Sequence, residues 1–367
     1  HRRRLWNITT LPFGRARPTV DVPERVMAQH TEWARQAQDA PLLSVENLSI
    51  SFAHPGGETA ITRDVSFTVA PGERVGVVGE SGCGKTVTGL ALLGLLPSAT
   101  ARVRGAIRFQ GEDLSTLPAS RMRRLRGSEI SMIFQEPMSA LDPVFTIGEQ
   151  LTETLRSHRK VSRKEARERA IEALAEVGIP SPAQRINDYP YQFSGGMRQR
   201  VMIAMALICR PKLVIADEPT TALDVTVQAQ IIDLLCEISD STGTALLFIT
   251  HDLGVVAETC SRLLTMYAGE VVESAPVDSV LYRPRHPYSS GLLCSLPGLS
   301  ERGQRLPSIA GRVPAPDQMP RGCRFQARCP HATDGCEQPQ PLQPLTDDRL
   351  ARCWRSAELT LPGAVNP

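Results

Sequence analysis

Eight consecutive residues constrain this chain more than anything else in it: Gly79-Glu80-Ser81-Gly82-Cys83-Gly84-Lys85-Thr86. They match the G-x-x-x-x-G-K-[ST] phosphate-binding loop at every fixed position. Glycines at 79, 82 and 84 let backbone N–H groups, those of Ser81 and Cys83 among them, close around phosphate oxygens. Lys85 is expected to reach the β- and γ-phosphates, and the Thr86 hydroxyl to ligate Mg²⁺. Such a loop needs a strand before it and a helix after it. Arg74-Val75-Gly76-Val77-Val78 reads as a buried strand, and the apolar run from Lys85 to about Leu96 as a helix whose positive end faces the anion. The fold class is therefore α/β.

A second set of residues lies downstream. Phe193-Ser194-Gly195-Gly196-Met197 precedes an apolar helical run, and Leu213-Val214-Ile215-Ala216-Asp217-Glu218 reads as an apolar strand ending in two carboxylates. That places Glu218 at a strand's C-terminal edge, where α/β sheets put their ligands. Taken singly, these residues have ordinary alternatives. Glu218 could be a surface residue before Pro219, and His251 a helix-start residue beside a capping Asp252. Gln135 could be a polar residue ending the apolar strand from Ile130 to Phe134, and Phe52 a core aromatic.

Taken together and in this order, the motifs resemble those of ATP-binding-cassette (ABC) ATPases, from about Leu43 to the C-terminus. The resemblance implies an ABC-type phosphate-loop cassette: a RecA-like core, an antiparallel β subdomain and a helical subdomain. It implies ATP and Mg²⁺ as ligands. Asp217 would hold Mg²⁺ with Thr86 and Gln135, the last in the Q-loop. Glu218 would polarise the attacking water, Asp224 would belong to the D-loop and His251 would be the switch histidine. Phe52 would stack on adenine. Ser194, Gly195 and Gly196 would form the signature that meets the γ-phosphate in a partner's site. Phe193 and Met197 stand where the family usually has Leu and Gln. One cassette per chain implies pairing with a second ATPase subunit, identical or paralogous.

Composition bounds the rest. A net charge of +2 gives no electrostatic footprint of a nucleic-acid binder. No apolar run approaches the ~18 residues that span a bilayer. Residues 1–41, with His1-Arg2-Arg3-Arg4 and several prolines, read as a linker or flexible extension, or as the remnant of a junction to a preceding permease domain. Residues 42–275 read as the nucleotide-binding domain. Within it, residues from about 136 to 195 carry apolar positions at helical spacing among charges and form the helical subdomain. Residues 276–367 read as a small Cys-rich C-terminal region.

That region holds three markers: Arg285-His286-Pro287-Tyr288, Leu306-Pro307-Ser308-Ile309-Ala310-Gly311 and Gly322-Cys323-Arg324-Phe325-Gln326-Ala327-Arg328-Cys329-Pro330. They resemble the C-terminal region of ATP-binding subunits of oligopeptide/dipeptide (and nickel) importers. This implies peptide uptake through two transmembrane permease subunits, an extracytoplasmic peptide-binding protein, and a peripheral location on the cytoplasmic membrane face. Nickel or another small solute, or a soluble non-transport ABC ATPase, are the alternatives. Cys323, Cys329, Cys336 and Cys353 cluster in this Pro-rich, weakly apolar segment, where a staple would aid folding. Four thiolates suit an iron–sulfur cluster or Zn²⁺, although the C-x₂-C spacing typical of zinc is absent. The resemblance implies a [4Fe–4S] cluster; zinc and free or disulfide-bonded thiols remain open.

Overall fold

The structure is a computed structural model that describes residues 41–135, 140–220, 223–296, 308–346 and 348–364. The N-terminal extension through residue 40, Ala222 of the D-loop and Leu306-Pro307 of the second C-terminal marker lie outside these residues.

Two sheets organise the chain. The first is antiparallel, in the order β2-β1-β4-β5, built from β1 (Leu43–His54), β2 (Gly57–Val69), β4 (Ala101–Phe109) and β5 (Glu112–Asp113). Its inner face comes from period-two alternation: Leu43 and Val45, then Leu48 and Ile50, are buried on β1. The step from 45 to 48 changes parity, and the pairing register with β2 shifts there, so a bulge keeps both pairs facing inward.

Among the described residues the second sheet has eight strands, in the order β11 (Gln343–Thr346), β12 (Arg349–Ala351), β10 (Glu270–Pro276), β9 (Arg262–Tyr267), β3 (Arg74–Val78), β8 (Ala245–Thr250), β7 (Leu213–Asp217), β6 (Ile130–Ile133). Strands β6, β7, β8, β3 and β9 run parallel. Helices cover such a sheet on both faces, so its strands can be continuously apolar. All of β6, β7 and β8 is buried. The central position of β3 aims the loop that follows it at the middle of the sheet's C-terminal edge.

The helix after the phosphate loop spans Lys85–Leu92, shorter than the sequence pattern, because Gly94 and Leu95 turn back to the carbonyls of Ala91 and Leu90. Helices Ile147–His158 and Arg163–Glu176 stand between β6 and β7 in the chain. Thr146 and Glu149 form a capping box at the first, and Ser162 caps the second. They bury Ile147, Leu151 and Leu155 on one and Ala166, Ala170, Ala173 and Leu174 on the other, at helical spacing. The Arg163–Arg169 stretch keeps its charges outward, with Arg169 paired to Glu165 one turn away.

The C-terminal segment continues the main sheet. Strand β10 (Glu270–Pro276) pairs antiparallel with β9 and with β12 (Arg349–Ala351), and β11 (Gln343–Thr346) pairs with β12. Among the described residues, no helix is long and apolar enough to cross a membrane.

Candidate nucleotide site

The phosphate loop leaves the C-terminal end of β3 and is held from beneath by backbone. A Cβ on Gly79 would lie 2.1 Å from the Met266 carbonyl oxygen, so only glycine permits this approach. Gly84 caps the following helix at φ 96°, a left-handed conformation that glycine adopts without a steric cost. Gly269 N–H donates to the Cys83 carbonyl at 3.1 Å and ties the loop to the β9–β10 turn. The Cys83 thiol is buried, and burial pushes its pKa up. The Lys85 ammonium folds back over the loop, donating to the carbonyls of Gly79 (2.7 Å) and Glu80 (3.2 Å).

The parallel strands bring four more polar residues to the same edge. Asp217 ends β7, and its carboxylate accepts from the Thr86 hydroxyl at 3.1 Å. It is only 2% exposed. Burial raises its pKa, while the Thr86 bond and Lys85 oppose the rise. A buried carboxylate that keeps a hydroxyl as partner is a fitting donor set for a small hard cation. Glu218 sits just beyond the strand at φ 44°, in the left-handed region that costs a non-glycine residue energy. Its N–H donates to the Ile249 carbonyl at 2.8 Å, and its side chain lies between residues that follow the two strands flanking β7. Gln135 Nε2 donates to Oε2 at 3.3 Å, and His251 Nδ1 stands 3.3 Å from Oε1. Gln135 follows β6 and His251 follows β8, so one sheet edge converts three distant positions into one constellation. Asp252, beside it, caps helix Leu253–Thr259.

Ser194 is the N-cap of helix Gly195–Leu207, its hydroxyl accepting from the Met197 N–H. Ser194 and Gly195 are exposed. Among the described residues, no hydrogen bond joins Ser194, Gly195 or Gly196 to this chain's phosphate loop. Asp224 caps helix Val225–Thr242. Phe52 lies on β1 opposite Thr59 and Ala101, partly buried against the antiparallel sheet's core. Sequence reasoning did not single out Gln199. It is 2% exposed and donates to the Pro219 carbonyl at 2.5 Å, linking the Ser-Gly-Gly helix to the Glu218 turn.

The four C-terminal cysteines carry free thiols. Cys323 N–H donates to the Cys336 carbonyl at 2.8 Å. The thiols of Cys323, Cys329 and Cys353 lie within electrostatic reach of one another and of Cys336. Burial is the main cause that pushes Cys323 up to about 12 and Cys329 up to about 11. The donor set suits a soft metal or cluster. Among the described residues, however, no three His, Cys, Asp or Glu side chains converge to metal-holding distance.

A phosphate loop on the central parallel strand, with two consecutive carboxylates ending the strand two places away, defines a phosphate-loop ATPase of the ABC type. Residues 62–221 match the ABC transporter family, and residues 272–336 match the oligopeptide/dipeptide transporter C-terminal region. The oligopeptide transport ATP-binding protein OppD of Escherichia coli is 48% identical over 325 residues, covering 89% of this chain and 96% of the relative. The dipeptide transport ATP-binding protein DppD of Bacillus subtilis is 49% identical, over 85% and 94% of the two chains. A dimeric ATP-binding cassette solved in a post-hydrolysis state with ADP and Pi superposes with a TM-score of 0.57 at 26% identity, covering 64% of this chain and 98% of that one. CbiO1 of Clostridium perfringens, part of the CbiONQ ABC transporter complex, gives 0.56 at 26% identity, over 66% and 91%. The chain belongs to the ABC transporter ATP-binding family, in the branch that carries the oligopeptide/dipeptide transporter C-terminal region.

Proposed function

We propose that this ATPase powers the uptake of oligopeptides or dipeptides through separate permease subunits at the cytoplasmic face of the membrane. The observation that carries its chemistry is the pair of consecutive carboxylates with divided roles. Asp217 is buried against Thr86, whereas Glu218 is displaced outward between Gln135 and His251. Phosphoryl transfer requires charge neutralisation and a positioned nucleophile, and these two groups divide that work.

Thr86, Asp217 and Gln135 would hold Mg²⁺, which neutralises charge on the phosphates when bound. Lys85 already has its ammonium at the loop and would exchange its carbonyl partners for phosphate oxygens. The loop's N–H groups, Ser81 and Cys83 included, would bind the β-phosphate. Glu218 would accept a proton from the attacking water, its carboxylate oriented on one side by the Gln135 amide and on the other by the His251 ring. Phe52 would supply a face for adenine.

The Ser194-Gly195-Gly196 helix start, exposed at Ser194 and Gly195, supports pairing of two cassettes, each contributing this helix to its partner's phosphates, with Asp224 at the seam. Val144, Phe145 and Tyr191 are 73%, 48% and 67% exposed. The bonds from Ile147 to Asp188 and from Gly148 to Ile186 draw the 144–148 and 186–191 segments together. Exposed apolar side chains gathered in one place favour a protein partner, and a permease is the partner this branch implies. An extracytoplasmic binding protein would deliver the peptide. Cys323, Cys329, Cys336 and Cys353 would hold a [4Fe–4S] cluster as a structural staple. Iron and acid-labile sulfide in anaerobically purified protein, lost on Cys329→Ser, would support that; zinc alone would replace it.

The transport reading is tested by reconstituting the chain with its permeases and binding protein in vesicles. ATP-dependent uptake of labelled di- to pentapeptides that stops with Glu218→Gln is the expected result. Uptake of Ni²⁺ without peptides would move the chain to the metal-import alternative. Stable association with ribosomes or DNA and none with permeases would overturn the transport reading.

A further inference from the structure

The second residue of the phosphate loop is a carboxylic acid, Glu80, in a segment that must receive a highly charged anion. Every partner the structure gives its side chain and its N–H comes from the C-terminal region. Arg328 donates from Nη1 to Oε2 at 2.8 Å and from Nη2 to Oε1 at 3.0 Å, a bidentate pair across 248 positions of sequence. The Glu80 N–H donates to the Tyr288 hydroxyl at 2.9 Å.

Both partners are rigidly mounted. The Arg328 side chain is 6% exposed, while Glu80 is 31% exposed. Arg328 Nε donates to the Ala310 carbonyl at 2.9 Å, and Nη1 reaches the Tyr267 hydroxyl at 3.4 Å. Its guanidinium lies 5.7 Å from the Tyr267 ring centroid and 6.0 Å from that of Phe325. Tyr288 is fully buried, its ring 4.6 Å from Tyr267 and 5.4 Å from Phe325. The bond to Glu80 is the main cause that holds the Arg328 pKa above its ordinary range.

A carboxylate at this place raises the negative potential where phosphate must sit, unless a cation cancels it. The Tyr288 hydroxyl also occupies the Glu80 N–H, which is thereby engaged by the C-terminal region. We infer that Arg328 is a positioning residue of the nucleotide site: it neutralises Glu80 and fixes the first turn of the phosphate loop, so the C-terminal region sets nucleotide affinity. This rests on the reading of residues 79–86 as the ATP site, and it deepens that reading.

The test is a fluorescence titration of N-methylanthraniloyl-ATP with Mg²⁺ into the full chain, with thermal melts run beside it. Arg328→Ala should raise the analogue's Kd on the order of tenfold, through one uncompensated charge near the phosphates. Turnover at saturating ATP should stay within about twofold. Glu80→Gln should bind at least as tightly as wild type. The double variant Arg328→Ala/Glu80→Gln should return towards wild-type affinity, because no carboxylate is left to repel the phosphates. Arg328→Lys should fall between. A lower melting temperature with unchanged Kd would reduce Arg328 to a structural role and overturn the inference. So would a double variant as weak as Arg328→Ala. If Arg328→Ala melts below the assay temperature, Arg328→Gln carries the same comparison with the same two contrary results. A wild-type chain that does not bind the analogue would instead remove the ATP reading itself.

Discussion

In β3, β7 and β8, the strands behind the phosphate loop and Glu218, the buried side chains are almost all Val, Leu, Ile, Ala or Phe. Across the same sheet, around β10 and β12, the buried side chains include Glu270, Glu273, Arg324 and Arg352. Glu273 is fully buried and accepts from the N–H groups of Arg285 and His286 and from Arg349. Arg352 donates to the carbonyls of Val271 and Gln340. The nucleotide half is thus held by apolar burial, which grades smoothly with area. The C-terminal half is held by specific polar pairs, which are costly to leave half-made. The first arrangement tolerates substitution of similar volume; the second fixes a particular attachment and fails sharply when one partner goes.

Four substitutions sharpen or break this contrast. Lys85→Ala should give the largest effect on function, a loss of Mg–ATP affinity of order a hundredfold or more with little change in melting temperature. Among the described residues its ammonium bonds only groups of the phosphate loop itself, the Gly79 and Glu80 carbonyls and the Cys83 thiol, so its loss leaves the rest of the fold's bonds in place. Calorimetric titration beside a melt checks both halves of that statement. Glu273→Ala should destabilise the chain by about 3–5 kcal/mol, since Arg349 would lose its buried partner and two N–H groups their acceptor. Leu247→Ala, in the middle of β8, should cost about 2–5 kcal/mol by leaving a cavity. The two separate in conservative variants: Leu247→Met should cost under about 1.5 kcal/mol, whereas Glu273→Gln should keep most of the Glu273→Ala loss, because Arg349 still lacks a charged partner. Equal recovery in both would dissolve the contrast.

The effect that is smallest near neutral pH is one of protonation. His286 is buried and neutral, its Nδ1 accepting from the Tyr288 N–H; burial, helped by Arg352, holds its pKa down to about 3. The unfolded chain takes up that proton near pH 6.5 and the folded chain does not, so stability is lost as pH falls from about 6.5 towards 3. The slope from this one group is at most about 1.4 kcal/mol per pH unit. His286→Asn keeps a capping acceptor for helix Pro287–Cys294 without a titrating ring. The acid limb of its stability curve should be flatter; an unchanged limb would assign acid lability to other groups.

The phosphate loop was legible from residues alone because its chemistry dictates glycines and a lysine at set spacings. The α/β class followed from the strand and helix on either side of it. Glu218, Gln135 and His251 were legible only through family order, since each is locally ordinary; the parallel sheet is what brings them together. Strand β11 was not legible. Gln343-Pro344-Leu345-Thr346 is polar and contains proline, and it forms a strand because an edge position leaves one side unpaired. Nor was the Arg328–Glu80 pair visible. An ion pair between remote residues has no periodicity, although Arg328 stands inside a marker that the sequence did expose.

Asp217 is proposed to hold the metal and Glu218 to accept the proton. The most direct measurement of this division is Mg–ATP binding and single-turnover hydrolysis by Glu218→Gln in the intact chain. Wild-type-like binding is expected, with hydrolysis slowed by at least about a hundredfold. Near-normal hydrolysis, or loss of binding in parallel with turnover, would contradict it.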